Sequence, residues 1–254
     1  MEKKKKKMDT VKLSEYLNAY KFNVMLPGSR QIVNFKPIST FQLKELAAAS
    51  DDADDALDRL INTCVIDEGF DVKKLALQDR FFLLVELRKK SKGSMYNISY
   101  NCSACRSQVI QSINLDEMVT RPLSDDQDYK IVLDDNITIE VGLISRDVIK
   151  KAESIVDKLI KDKAYKEGDK MLDESIMSYV LSIKKIITPA GEIDNPDIET
   201  NLLLFKSPAP LSFYDKMAKW YDELEFGMDF KFNIECTHCQ NKEEIQVTLE
   251  NFFS

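Results

Sequence analysis

Four of the five cysteines fall into two pairs of identical spacing, Cys102-Ser103-Ala104-Cys105 and Cys236-Thr237-His238-Cys239. Two residues between thiolates let one tight turn aim both sulfurs at a single tetrahedral cation. Two such turns fill all four positions of a zinc ion and leave none open to water or substrate. A site made of Cys102, Cys105, Cys236 and Cys239 is therefore structural. Its expected content is one Zn2+ per chain, clipping together segments 134 positions apart, with binding free energy acting as folding free energy. Three other readings compete. A thioredoxin-like redox pair wants its Cys-x-x-Cys at a helix N-terminus. Disulfides are disfavoured in a reducing cytoplasm. Four reduced thiols without metal are the third, since neither knuckle carries the glycine or proline that eases such turns. Cys64, on an apolar helix face, reads as a buried core thiol. His238, the one histidine, reads as a solvent-facing turn residue, with replacement of a neighbouring cysteine as ligand the alternative.

The elements that must position these thiols alternate at period two. Tyr96, Ile98 and Tyr100 precede the first knuckle on one strand face, opposed by Asn97, Ser99 and Asn101. Phe230, Phe232 and Ile234 precede the second, opposed by Lys231, Asn233 and Glu235. Ile113 and Leu115 follow the first pair, and Val247 and Leu249 the second. Each unit is strand, knuckle, strand, as in a zinc ribbon.

The offset of 134 reaches further than the knuckles. It superposes Gly93 on Gly227, Tyr96 on Phe230, Ile98 on Phe232, Ile113 on Val247 and Leu115 on Leu249. Upstream of each glycine a helix is expected, capped by Asp79 in one copy and by Ser212 in the other, with the glycine as left-handed C-cap. Further upstream, Phe22–Leu26 turns through Pro27-Gly28-Ser29 into Ile32–Ile38, and Tyr129–Leu133 turns through Asp134-Asp135-Asn136 into Ile137–Ile144. Each hairpin runs into helical periodicity. One such helix carries Ala53, Ala56, Leu57, Leu60, Ile61 and Cys64. A second carries Val148, Ile149, Ala152, Ile155, Val156, Leu159 and Ile160, and a third Leu172, Ile176, Tyr179, Val180, Ile183 and Ile187. The expected fold is α+β, an internally duplicated unit of β-hairpin, helices and zinc-ribbon-like hairpin, its two halves joined through the four-cysteine site. Residues 1–20 form a lysine-rich arm, 21–119 the first repeat and 120–254 the second. Residues 188–210, with four of the seven prolines, form an exposed linker.

Composition excludes several function classes. At 44% apolar and 31% charged residues the chain is an ordinary globular one. No apolar run approaches the roughly 20 residues of a membrane span, and no apolar segment follows the Lys3–Lys7 run as a signal peptide requires. The net charge is −7, and without that lysine run the remainder stands at −12. So acidic a body argues against nucleic acid as the main ligand. No glycine-rich phosphate loop, nucleophile elbow or carboxylate dyad stands out, so no enzymatic activity and no small-molecule substrate are expected.

The remaining motifs read as architecture. Asp51-Asp52-Ala53-Asp54-Asp55 lacks the glycine and distal glutamate of a calcium loop and complements a helix N-terminus instead. Lys89, Lys90 and Lys92 suit a helix C-terminus, with RNA contact the alternative. Trp220 and Tyr221 are core by spacing. Phe252-Phe253-Ser254 closes the face of its hairpin or serves as a docking peg for a partner.

The order of hairpin, Leu77-x-Asp79-Arg80 helix, Ser91-x-Gly93, strand, Cys102/Cys105, then Cys236/Cys239 close to Phe252 and Phe253 resembles the baseplate hub assembly proteins of T-even-type tailed phages over residues 20–254. The chain departs from the commoner Cys-Pro-x-Cys-Gly knuckle, having Ser103 or Thr237 and then Arg106 or Gln240. The resemblance implies a non-enzymatic role in tail morphogenesis, building or chaperoning the central baseplate hub. Its partners would be hub or other tail-assembly proteins, its place the host-cell cytoplasm during assembly, with the virion tail baseplate the further location. The alternative function is a zinc-ribbon adaptor of a nucleic-acid-handling complex.

Overall fold

The computed structural model describes residues 12, 13, 15, 17, 19–49, 52–161, 170–206, 211–246 and 252–253. Alternation at period two gives the first hairpin. Strands β1 (Phe22–Met25) and β2 (Ile32–Phe35) pair antiparallel with Met25 opposite Ile32, and Val33 and Phe35 enter the core. Helix α1 (Thr40–Ala48) starts at a capping box in which Ser39 and Gln42 satisfy each other's backbone. Helix α2 (Ala53–Cys64) starts at Asp52, whose carboxylate accepts from the Asp54 amide, so the acidic run begins a helix as its charge suggests. Helix α3 (Leu77–Lys92) ends at Gly93, with Lys89, Lys90 and Lys92 in its last turn. The hairpin of β3 (Met95–Asn101) and β4 (Gln108–Asn114) follows, and then the short strand β5 (Thr120–Arg121).

A similar order follows. Strands β6 (Lys130–Val132) and β7 (Thr138–Val141) lead into α4 (Arg146–Lys161) and α5 (Lys170–Ser182). Strands β8 (Ile183–Thr188) and β9 (Gly191–Asp194) extend the second hairpin into a four-stranded sheet of order β6-β7-β8-β9. After α6 (Ile198–Leu202) and α7 (Ser212–Asp222) come β10 (Gly227–Met228) and the hairpin of β11 (Lys231–Glu235) with β12 (Lys242–Gln246). The architecture is mixed α and β. One core gathers β2, α2, α3 and both cysteine-bearing hairpins, through residues such as Leu84, Ile98, Ile113 and Ile234. A second lies between the four-stranded sheet and α7, and a third between α4 and α5. The packing of β11–β12 into the first core crosses the expected division at 119/120.

Several local expectations differ from the structure. Helix α3 begins after Ala76, so Asp79 lies in its first turn and is not its cap. Ser212 is likewise the first helical residue of α7, after Leu211. Gly227 does not end α7, which stops at Asp222. It opens β10 instead, with the same φ of +92° as Gly93. Ile183 and Ile187 belong to a strand, because their β-branched neighbours Ile186 and Thr188 favour extension and pair with β7 and β9. The expected linker 188–210 is mostly exposed but carries β9 and α6, and it buries Asn201 and Leu204. Lys3–Lys7, Asp51, residues 207–210, Val247, Leu249, Ser254 and the Leu172 side chain lie outside the described residues.

Candidate metal centre

Each knuckle is the tip of an antiparallel hairpin. In the first, the Cys102 amide donates to Ser107 O and the Arg106 amide to Cys102 O. In the second, the Cys236 amide donates to Asn241 O and the Gln240 amide to Cys236 O. Arg106 and Gln240 stand where such knuckles commonly carry glycine, and both adopt the left-handed backbone, φ +60° and +61°. The two sequences thus close the same turn without glycine, at the strain cost a side chain meets there.

The turns bring all four sulfurs within 4.8 Å of one another. Cys102 Sγ lies 3.7 Å from Cys239 Sγ, and Cys105 Sγ 3.7 Å from Cys236 Sγ. Both contacts run between the hairpins, and all four cysteines are free thiols, too far apart for disulfides. Four sulfurs each about 2.3 Å from a central zinc stand about 3.8 Å apart, so the cluster is compatible with a structural zinc site. Neither pair sits at a helix N-terminus, which removes the basis for a thioredoxin-like reading. Cys102 and Cys236 are buried against Val109 and Tyr100, while Cys105 and Cys239 face outward. Backbone and side-chain N–H groups point at the sulfurs, from His238 to Cys236 at 3.4 Å and from Asn241 to Cys102 at 3.9 Å.

The sulfur contacts favour ionisation of Cys105 over that of Cys239. Hydrogen bonds from Ser107 hold Cys105 down at about 6. Cys239, lowered by the Asn241 backbone, is nevertheless pushed up to about 12 by partial desolvation and by the sulfurs of Cys105, Cys102 and Cys236. His238 is exposed and stands outside the four-sulfur group. Cys64 is buried in the first core, and burial pushes its thiol up to about 11.

The other motif residues turn out to fasten elements. Asp79 accepts from the Gly28 and Ser29 amides at 2.6 and 2.8 Å, pinning the β1–β2 turn to α3. Arg80 reaches Asp58 at 2.6 Å and Asp54 at 2.9 Å. Ser91 Oγ accepts from the Ile38 amide at 2.8 Å. Lys89 pairs with Glu86 and Asp116, and Lys92 donates to Phe253 O, so these lysines are engaged within the chain. Trp220 and Tyr221 are partly buried against the second core, donating to Asp128 O and Gly142 O. Phe252 and Phe253 are 2% and 8% exposed and belong to the first core, which overturns the docking peg.

Sequence reasoning missed the network at the start of α2. Arg146 and Lys150 of α4 both reach Asp52, at 3.1 and 2.7 Å, and Lys150 also reaches Asp55 at 3.3 Å. The one available signal was an acidic run too dense for a helix dipole alone. Arg88 was missed as well: it donates to Phe252 O, Gly93 O and Met95 O.

Two β hairpins whose thiol-bearing tips close on each other, fixed by fastening residues among helices, define a mixed α/β protein built around a four-cysteine cluster. The chain belongs to the T4 bacteriophage base plate protein family, whose pattern matches residues 17–254. It is accordingly a non-enzymatic phage baseplate assembly protein. No curated protein and no solved structure matches it significantly. Among the described residues, no helix is long and apolar enough to cross a membrane.

Proposed function

We propose that this chain builds or chaperones the central hub of a contractile-tail baseplate, with Cys102, Cys105, Cys236 and Cys239 holding one structural Zn2+. The family match over residues 17–254 carries the first part, and the 3.7 Å contacts between hairpins support the second. The ion would supply only cross-linking: it would neutralise four thiolates and lock the hairpins, while Asn241 and His238 orient the sulfurs. Its partners would be hub or other tail-assembly proteins, met in the host-cell cytoplasm.

The organisation is read as two related halves, 21–119 and 120–254, about a pseudo-dyad. Equal φ at Gly93 and Gly227, and at Arg106 and Gln240, supports this. So does an exchange of trailing segments: β5, which follows the first cysteine hairpin, pairs with β10 beside Gly227. Phe252 and Phe253, which follow the second, are held by Arg88 and Lys92 beside Gly93.

A tagged pull-down from producing cells, with quantitative mass spectrometry of finished particles, tests the role. Hub proteins in the pull-down without copies in particles mark a chaperone, and stoichiometric copies in particles mark a hub subunit. Recovery of no tail protein in either sample overturns the proposal. Metal analysis of protein purified without chelator should give one zinc per chain, lost in Cys102→Ser and Cys236→Ser. Absence of zinc from the wild type overturns the metal assignment.

A further inference from the structure

The two cysteine hairpins share their turn geometry but differ sharply in charge. From Ser94 to Asn114 one residue in 21 is charged, Arg106, in a chain that is 31% charged. The corresponding stretch 228–248 holds Asp229, Lys231, Glu235, Lys242, Glu243 and Glu244. The outward face of β11–β12 is laced by cross-strand ion pairs, Lys231–Glu244 at 3.0 Å and Lys242–Glu235 at 3.6 Å. On the same face of β3–β4 the cross-strand pairs are neutral, Gln108 donating to Ser99 at 3.1 Å and Ser112 to Asn97. Ile110 and Met95 stand on that face at 72% and 58% exposure. Strand β4 pairs with β3 alone among the described residues.

Proteins guard open strand edges with charge, because an unguarded edge templates pairing with another chain. One hairpin here carries the guard and its counterpart does not. We propose that β4 is an interaction edge at which two copies of this chain pair antiparallel, continuing the β3–β4 sheet across a two-fold axis with Ile110 near its centre. Charge selects the occupant. Two whole chains each at −7 repel, and this neutral surface lets them meet without apposing carboxylates. Its amides and hydroxyls both donate and accept, so the face is complementary to itself as an isologous contact requires.

Light scattering on the size-fractionated full-length chain tests this. The wild type should show twice the 29.2 kDa chain mass. Ile110→Lys and Ser112→Lys, which restore a guard, should each weaken the dimer at least about tenfold. Asn233→Lys, on the already guarded hairpin, should leave it intact. Circular dichroism and zinc content equal to wild type certify folding and separate this test from that of the metal site. If Ile110→Lys does not fold, Ser112→Lys carries the test alone. A wild type that stays monomeric up to about 100 μM overturns the proposal, as does a dimer unmoved by folded lysine variants. Capture of a different chain through β4 by a monomeric protein overturns the second copy as occupant.

Discussion

Arg80 and Asp58 show how much of this sequence is spent on holding elements together. Both side chains are buried, at 1% and 0% exposure, and meet at 2.6 Å. Arg146 also approaches Asp58, but only at 3.8 Å. Removing Arg80 leaves a carboxylate inside the protein with its close partner gone. Breaking a buried pair from one side costs about 3–5 kcal/mol, most of it the desolvation of the charge left behind. Arg80→Met should therefore lower unfolding stability by about that amount in urea titrations. The double variant Arg80→Met/Asp58→Leu removes both charges and should lose less than the sum of the two single variants. Additive losses would show that Asp58 draws its stability elsewhere, with Arg146 the first alternative. Asp79 and Ser91 act in the same manner, Asp79 satisfying two amides of the β1–β2 turn and Ser91 the Ile38 amide between β2 and α1. Their place in the family-like pattern is thus explained by architecture, with no chemistry required of them.

Elements depend on a few backbone positions, and Gly93 and Gly227 separate two reasons for glycine. Both have φ +92°, a backbone region that costs a side chain roughly 1–3 kcal/mol. A Cβ at Gly93 would meet nothing within 4 Å, whereas one at Gly227 would stand 2.7 Å from Gln78 Cβ. Gly93→Ala should cost the backbone strain alone, and Gly227→Ala a further ~1–3 kcal/mol of overpacking against α3. Equal melting losses in the two variants would refute the packing contribution. Between α2 and α4 the tie is electrostatic. The hydrogen bond from Lys150, with that from the Asp54 amide, holds Asp52 down to about 2 from 3.8. A depressed carboxyl contributes stability above its unfolded pKa and loses it as pH falls through the folded one. Asp52→Asn should therefore flatten the acid limb of the stability profile between about pH 4 and pH 2, as followed by denaturant midpoints. Strand alternation and helix periodicity were legible in the sequence because burial repeats every 2 or 3.6 residues. Phe232 and Ile234, or Leu60 and Cys64, declared their faces directly. Helix starts at Asp79 and Ser212 were misplaced because capping residue types serve equally well within the first turn. The Ile183–Thr188 strand was hidden by apolar spacing that continues the register of α5. The four thiols could be paired from spacing, but the Arg88, Arg146 and Lys150 contacts join residues with no periodic relation.

At the scale of the molecule, the chain returns at its far end to the core it built first. Phe252 and Phe253 pack edge-on to each other, and Phe252 packs edge-on to Tyr96. Arg88 lies over both the Tyr96 and Phe252 rings while donating to Phe252 O at 2.9 Å. Deleting residues 251–254 removes two buried aromatics, each worth about 3–5 kcal/mol when truncated in a core. It also takes an acceptor from Arg88, whose side chain is itself buried. Against a total stability of about 5–15 kcal/mol, that loss is enough to abolish cooperative folding. Because both cysteine hairpins share this core, the truncated chain should also bind zinc more weakly, since a four-sulfur site requires the hairpins to meet. The expected result is a broad, low-temperature transition in calorimetry together with zinc loss to a mild chelator. Phe252→Ala, which keeps the chain length, should show a smaller shift in the same direction. Unchanged melting and zinc retention in the truncated chain, with only partner capture lost, would return these rings to the role of a docking peg.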